Sequence, residues 1–246
     1  MPSVRQDLAA PNQDTMDAAL RDVREKRLLI DEQDRWLVDR FHRYLGPRLL
    51  EVGCGWGNIL RLVEASVQEI VAIDLDPESV EHVRDLYRSR PDFVALVGDI
   101  CDPATVEAVG GGFDTVLSIN VLEHVQDDLL ALTHMKRVLA PGGHLVAVVP
   151  AHARIHNRMD RAIGHYRRYS KADMAAKLTH IGCEVVTLSY INPLGALGWL
   201  INGRLLGRTT PPAGQLKLMN AIVPVLRRLE ALGEPPFGIS LLAVAR

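Results

Sequence analysis

The chain is poor in the features that mark most specialised classes of protein. It has only three cysteines, Cys54, Cys101 and Cys183, far apart and odd in number. That argues against a disulfide framework or a cysteine-based zinc site and fits a reducing cytoplasm. No apolar run approaches the ~18 residues of a membrane span. The first thirty residues are polar and charged, without the apolar centre of a secretory signal. A net charge of −2 gives no global pull towards nucleic acid. Neither a basic domain nor an aromatic base-stacking motif near the fourth strand is present to supply one locally. What is left, with 48% hydrophobic and 24% charged residues, is the composition of an ordinary globular protein. At 246 residues it is long enough to bury a sizeable core.

The apolar pattern organises this length. Residues 1–15 read as a frayed terminus. Over 16–44 the residues Leu28, Leu29, Trp36, Leu37 and Phe41 recur at helical spacing, with Leu45 after them, and Gly46-Pro47 closes this helical cap. Short apolar runs at 48–53, 69–74, 93–97, 114–119 and 143–149 then alternate with helical patterns at 57–66, 77–89, 102–109 and 126–139. The run Leu145-Val-Ala-Val-Val is apolar at every position, as a parallel strand covered on both faces must be. Alternating units of this kind predict a doubly wound α/β sheet, with ligands at the carboxyl ends of its strands.

The chemically informative residues fall at those ends. Residues 49–57 read Leu-Leu-Glu-Val-Gly-Cys-Gly-Trp-Gly, and a helix begins just after, near Asn58. Glycines at 53, 55 and 57 let the backbone turn tightly and approach a ligand, beside the unpaired N–H groups of a helix start. The spacing is E-x-G-x-G-x-G, not the G-x-G-x-x-G of dinucleotide sites. Glu51 would repel a pyrophosphate, whereas it can orient the loop or hold the amino-acid end of S-adenosylmethionine (SAM). Asp74 ends the second strand about 20 residues later, the offset at which an acid meets ribose hydroxyls. Asp76 precedes Pro77 and reads mainly as a helix cap. Asp99 ends the third strand and can accept from an exocyclic amine, with Ile100 covering the ring. Leu139-Ala-Pro-Gly-Gly reads as a turn that stops a helix and opens the fifth strand.

Taken together and in order, LEVGCGWG, AIDLD, GDI, FDTVLSINVLEHV and LAPGGHLVAVVP resemble the class I SAM-dependent methyltransferases. Within that class the cofactor motifs are similar to those of the small-molecule group that includes the ubiquinone-pathway O-methyltransferases. The resemblance implies a Rossmann-like sheet of seven mostly parallel strands with the last antiparallel, carrying an N-terminal helical cap and a helical insertion before the last strand. It implies SAM as cofactor and S-adenosylhomocysteine as product. Cofactor contacts are expected at Glu51, Gly53, Cys54, Gly55, Asn58, Asp74, Leu75, Asp99, Ile100, Asn120 and Val121. The whole chain, 1–246, reads as one domain: cap 1–45, SAM-binding core 46–150, acceptor loop, sixth strand and insertion 151–236, last strand 237–246.

Two segments depart from the minimal plan. The loop 151–171 holds six basic residues and three histidines against one acid, Asp160. Guanidinium forks suit carboxylates and phosphates, so the loop predicts an anionic acceptor met by Arg154, Tyr166, Arg167 and Arg168. His165 in this loop and His124 after the fourth strand are the candidate bases for an acceptor that must lose a proton. No metal is expected. Some relatives carry an acid three residues before the Glu-His pair, where this chain has Asn120, a weaker ligand. The second segment, 193–232, is apolar and glycine-interrupted, with Leu218, Ile222, Val225, Leu226 and Leu229 expected on one helix face. It suits a lid over a lipid-like or natural-product acceptor, a homodimer surface, a contact with the membrane surface, or plain packing. The acceptor is thus a small molecule, the methylated atom O, N or C, and the location cytoplasmic or peripheral to a membrane. A nicotinamide-dependent oxidoreductase on a similar sheet and a non-catalytic SAM-binding module are the competing readings.

Overall fold

A computed structural model describes residues 31–210, 212–230 and 233–246. Seven strands form one sheet: β1 (Arg48–Val52), β2 (Glu69–Asp74), β3 (Phe93–Val97), β4 (Phe113–Ile119), β5 (Leu139–Pro150), β6 (Val185–Ile191) and β7 (Ser240–Ala245). Their order is β3-β2-β1-β4-β5-β7-β6, with β7 antiparallel to both neighbours and the other pairings parallel. The expected LAPGG turn is drawn into the start of β5. Leu139 pairs with Phe113, the register then shifts, and regular pairing resumes at His144 with Thr115.

Alternation along each strand builds one core on each face of the sheet. Leu50 and Val52 of β1 join a layer with Phe113, Leu132, Met135 and Leu178. This layer carries α4 (Pro103–Val109), α5 (Asp128–Val138) and α7 (Lys171–His180). Leu49 faces the other way, with Trp36, Phe41, Ile70, Val80, Val146 and Val223. That second layer carries α1 (Asp31–Phe41), the short α2 (Leu60–Val63), α3 (Pro77–Leu86) and α9 (Ala213–Glu230). Two helices start the same way: Asp76 and Asp102 each accept an N–H of the first turn, and a proline follows at the first helical position.

The cap and the insertion meet. Arg40 of α1 lies 3.5 Å from the buried Glu230 of α9, Arg227 pairs with Asp39, and Trp36 and Val223 share one core layer. That docking rotates α9 away from the expected face. Val223 and Leu226 are buried, whereas Leu218 and Val225 are 62% and 55% exposed. A short helix α8 (Pro193–Leu200) and a π-helical turn (Ile201–Leu205) precede α9. Leu28 and Leu29 lie outside the described residues, as does the rest of the cap before residue 31. Among the described residues no helix is long and apolar enough to cross a membrane.

Leu50, fully buried in the inner strand β1, is the most direct check on this core. Leu50→Ala is expected to cost about 3 kcal/mol, lowering the denaturation midpoint without changing the slope. A loss below about 1 kcal/mol would place Leu50 outside a close-packed interior.

Candidate active site

The strand order reverses between β1 and β4, so the chain leaves their carboxyl ends in opposite directions and opens a crevice there. The glycine turn sits in it. Gly53, Gly55 and Gly57 have φ of 77°, 50° and 74°, a region that side chains resist. The first two serve different needs. A Cβ on Gly53 would lie 2.3 Å from Cγ2 of Val121, so the turn presses directly on the loop after β4. A Cβ on Gly55 would meet nothing within 4 Å, so the backbone there borders open space.

Asp74 holds this turn in place. Its Oδ2 accepts the Gly55 N–H at 2.8 Å and its Oδ1 the Asp76 N–H at 2.9 Å. Each carboxylate oxygen can accept a second bond, so the same side chain can shape the loop and meet a ribose. Asp76 is the helix cap that the sequence predicts, accepting the Glu78 N–H at 3.3 Å and the Ser79 hydroxyl at 2.7 Å. Beside them Leu75 is 68% exposed and Trp56 is 42% exposed, with the Trp56 ring 4.5 Å from that of His82. Glu51 is buried in β1. Cys54 is buried too, and burial together with the charges of Glu51 and Asp74 pushes its thiol far up, leaving it neutral. Asn58 accepts from Arg61 at 3.3 Å. Asp99 is exposed at the end of β3, its Oδ1 accepting the Cys101 N–H at 2.8 Å. Ile100 is buried in the core, with its carbonyl 2.7 Å from Nδ1 of the buried His134, whereas Leu75 is exposed. Asn120 adopts φ 55° at the tip of β4, a conformation asparagine tolerates, and its N–H bonds the Val148 carbonyl at 2.8 Å.

The other wall comes from the loop after β5, and its centre is Asp160 in the short helix α6 (Arg158–Ala162). Asp160 closes a capping box, accepting the Asn157 N–H at 2.9 Å while Asn157 Oδ1 accepts the Met159 N–H at 2.8 Å. It also accepts Arg168 Nε at 2.7 Å, Trp199 Nε1 at 3.1 Å and, at 3.0 Å, His165 Nδ1. Burial raises its pKa, but the His165 hydrogen bond and the Arg168 charge outweigh that and hold it at about 2.

This network corrects part of the acceptor reading. Arg168 is buried, bonded to Asp160 and the Ala151 carbonyl and packed on Trp199, so its guanidinium is committed inside the protein. Arg167 is held by Asp128 at 2.9 Å and by the Gln126 carbonyl at 2.7 Å. Tyr166 and Arg154 do lie at the surface, as do Arg158 and Arg161.

The two histidines do come together. Their rings are 4.7 Å apart and nearly perpendicular, and His165 Nε2 faces Oε1 of the buried Glu123 at 3.7 Å. Burial, with the neighbouring His165, lowers His124 to about 3; burial also lowers His165 against the pull of Asp160. Ligand atoms of Glu123, His124 and His165 all lie within 4.8 Å of one another. Two of these donors follow soon after Asn120, and the third arrives from the distant loop after β5.

Next to this corner Asp128, at the start of α5, accepts from Tyr169 at 2.8 Å, from Lys177 at 3.0 Å and from Arg167. Burial pushes its carboxyl up, and those three hydrogen bonds bring it below the ordinary value.

Comparison with known proteins agrees with this architecture. A family model described as a methyltransferase domain matches residues 13–188. A Mycolicibacterium smegmatis protein named as a probable S-adenosylmethionine-dependent methyltransferase is 28% identical over 146 residues, 58% of this chain and 54% of its own length. A ubiquinone biosynthesis O-methyltransferase of Xanthomonas euvesicatoria pv. vesicatoria is 31% identical over 159 residues, 58% of this chain and 65% of its own. The chain thus spans between half and two thirds of these curated relatives. A Haloferax volcanii chain solved in complex with the Trm112 methyltransferase activator superposes with a TM-score of 0.64 at 21% identity, covering 96% of this chain and 98% of that one.

The Asp128 network gives a pH signature. A carboxyl depressed on folding contributes stability above its unfolded pKa of about 3.9, and loses it as pH falls through the lower folded value. The thermal midpoint should therefore fall steeply below about pH 4. Asp128→Asn should be less stable than wild type at pH 7 and lose less on acidification; parallel pH curves for the two proteins would contradict this assignment.

Proposed function

Since the chain belongs to the SAM-dependent methyltransferase family, we propose that it moves the methyl group of SAM to a small, anionic and partly apolar acceptor. The observation that carries the cofactor half of this reading is the open space over Gly55, beside the Asp74 carboxylate. A nicotinamide oxidoreductase is set aside by the family match and by the E-x-G-x-G-x-G spacing. When bound, SAM supplies a methyl already activated on a sulfonium.

The residues present suit that molecule. Asp74 has accepting capacity for ribose hydroxyls, and Asp99 can accept from the exocyclic amine of adenine. Leu75 offers an apolar cover, and Gly53, Cys54, Gly55 and Asn58 line the turn and helix start. Val121, packed against Gly53, sets its approach to the β4 loop beside Asn120, and Glu51 would orient the turn or hold the amino-acid end of the cofactor. Because the leaving group is built into the cofactor, the protein's work is alignment and deprotonation of the acceptor. The corner of Glu123, His124 and His165 is where that acceptor would be prepared, since its imidazoles are neutral and lie beyond Val121. The surface arginines Arg154, Arg158 and Arg161, with Tyr166, favour an anionic group on the acceptor. The exposed Leu194, Leu197, Ile201 and Leu205 of the insertion favour an apolar body, free or at a membrane surface.

Gly55→Ala separates binding from folding. The alanine meets no atom but must take a left-handed φ, costing about 1 kcal/mol, so the thermal midpoint should drop by no more than about 4 °C. The methyl would occupy the cradle, so calorimetry should show SAM affinity reduced about tenfold or more, near 1.4 kcal/mol. Unchanged affinity would place the cofactor elsewhere.

Methyl transfer itself is tested by S-adenosylhomocysteine formation over a panel of carboxylate and phosphate acceptors with apolar tails. Turnover is expected, and Arg154→Glu should raise KM more than it lowers kcat. SAM binding without turnover on any acceptor would favour a non-catalytic SAM-binding module.

A further inference from the structure

We propose that Glu123, His124 and His165 form a site for one borderline divalent cation, of the zinc or iron(II) class, on the acceptor side of the crevice. The site stands on its own geometry; its use in preparing the acceptor rests on the methyl-transfer reading above. Two imidazoles and one carboxylate are the donor set such cations take, in contrast to the all-oxygen shells of magnesium and calcium. The donor atoms lie within 4.8 Å of one another, with His165 Nε2 and Glu123 Oε1 at 3.7 Å. Bonds of about 2.0–2.2 Å to a shared ion would place donors about 3–3.5 Å apart, so a small closure of the side chains would bring all three within bonding distance.

The His165 imidazole is also anchored from behind, as ligand histidines are. His165 Nδ1 bonds Asp160 at 3.0 Å, and Asp160 is itself fixed by Arg168, Trp199 and the Asn157 N–H. That arrangement turns the other ring nitrogen towards Glu123. Among the described residues three protein donors converge. Open positions would therefore remain for an acceptor oxygen, whose proton the bound cation would make easier to remove.

The test uses the full chain, stripped with a chelator and titrated with Co2+ alone, followed by its absorption bands and by native mass spectrometry. One equivalent is expected to bind with histidine-type bands. His165→Gln and Glu123→Gln, each checked for folding by circular dichroism, should weaken binding about tenfold or more. His180→Gln, a change at an exposed histidine on α7, should leave it unaltered. Absence of saturable one-equivalent binding, or equal binding in the His165 and Glu123 variants, would overturn the proposal. SAM binding is measured separately on the metal-free protein. Cobalt binding with the expected variant pattern but no SAM binding would leave the cation site standing and remove the methyl-transfer reading.

Discussion

One buried carboxylate, Asp160, holds together the loop after β5 and the insertion that packs on it. It has no solvent exposure and collects donors from four places: the start of its own helix, His165, Arg168 and Trp199 of the insertion. A buried charge is tolerated only when paired and fully hydrogen-bonded, so these groups are fixed relative to one another. The consequence reaches past α6. Arg168 carries the Ala151 carbonyl at the end of β5, Trp199 ties in α8, and His165 is delivered against Glu123 and His124. One residue thus links the sheet, the insertion and the corner where the acceptor would be prepared.

The cofactor side depends on a different constraint, the reversal of strand order between β1 and β4. Because Gly53 packs directly on Val121, the glycine turn and the loop leading to Glu123 and His124 are neighbours by construction. Asp74 then locks the turn from β2 through two backbone N–H groups. The proposed cofactor cradle and the proposed acceptor corner would therefore be neighbours along one crevice.

The sheet was legible in the sequence because buried parallel strands announce themselves as continuous apolar runs, and Asp-Pro pairs mark helix starts at Asp76 and Asp102. Asp74 and Asp99 could be placed because they end those runs. The loop 151–171 was harder, since counting its charges treats every arginine as solvent-facing. A single acid with fully buried oxygens reversed that for Arg168, and Asp128 did the same for Arg167. The spacing of Asn157 and Asp160 was a readable capping signal that would have turned Asp160 inward. The face of α9 differs from the periodic one, with Val223 buried and Leu218 and Val225 exposed, because docking on α1 sets its rotation and periodicity alone does not. The meeting of His165 with Glu123 and His124 joins segments remote in sequence, which local pattern cannot show.

The most direct test of the whole account is a crystal structure of the full chain with S-adenosylhomocysteine bound. The adenosine should lie along Gly53–Gly57 between Asp74 and Asp99, and the sulfur should face the corner of Glu123, His124 and His165. A sulfur directed away from that corner, or a cofactor lying outside the glycine turn, would contradict the claim that the two ends of the crevice act together.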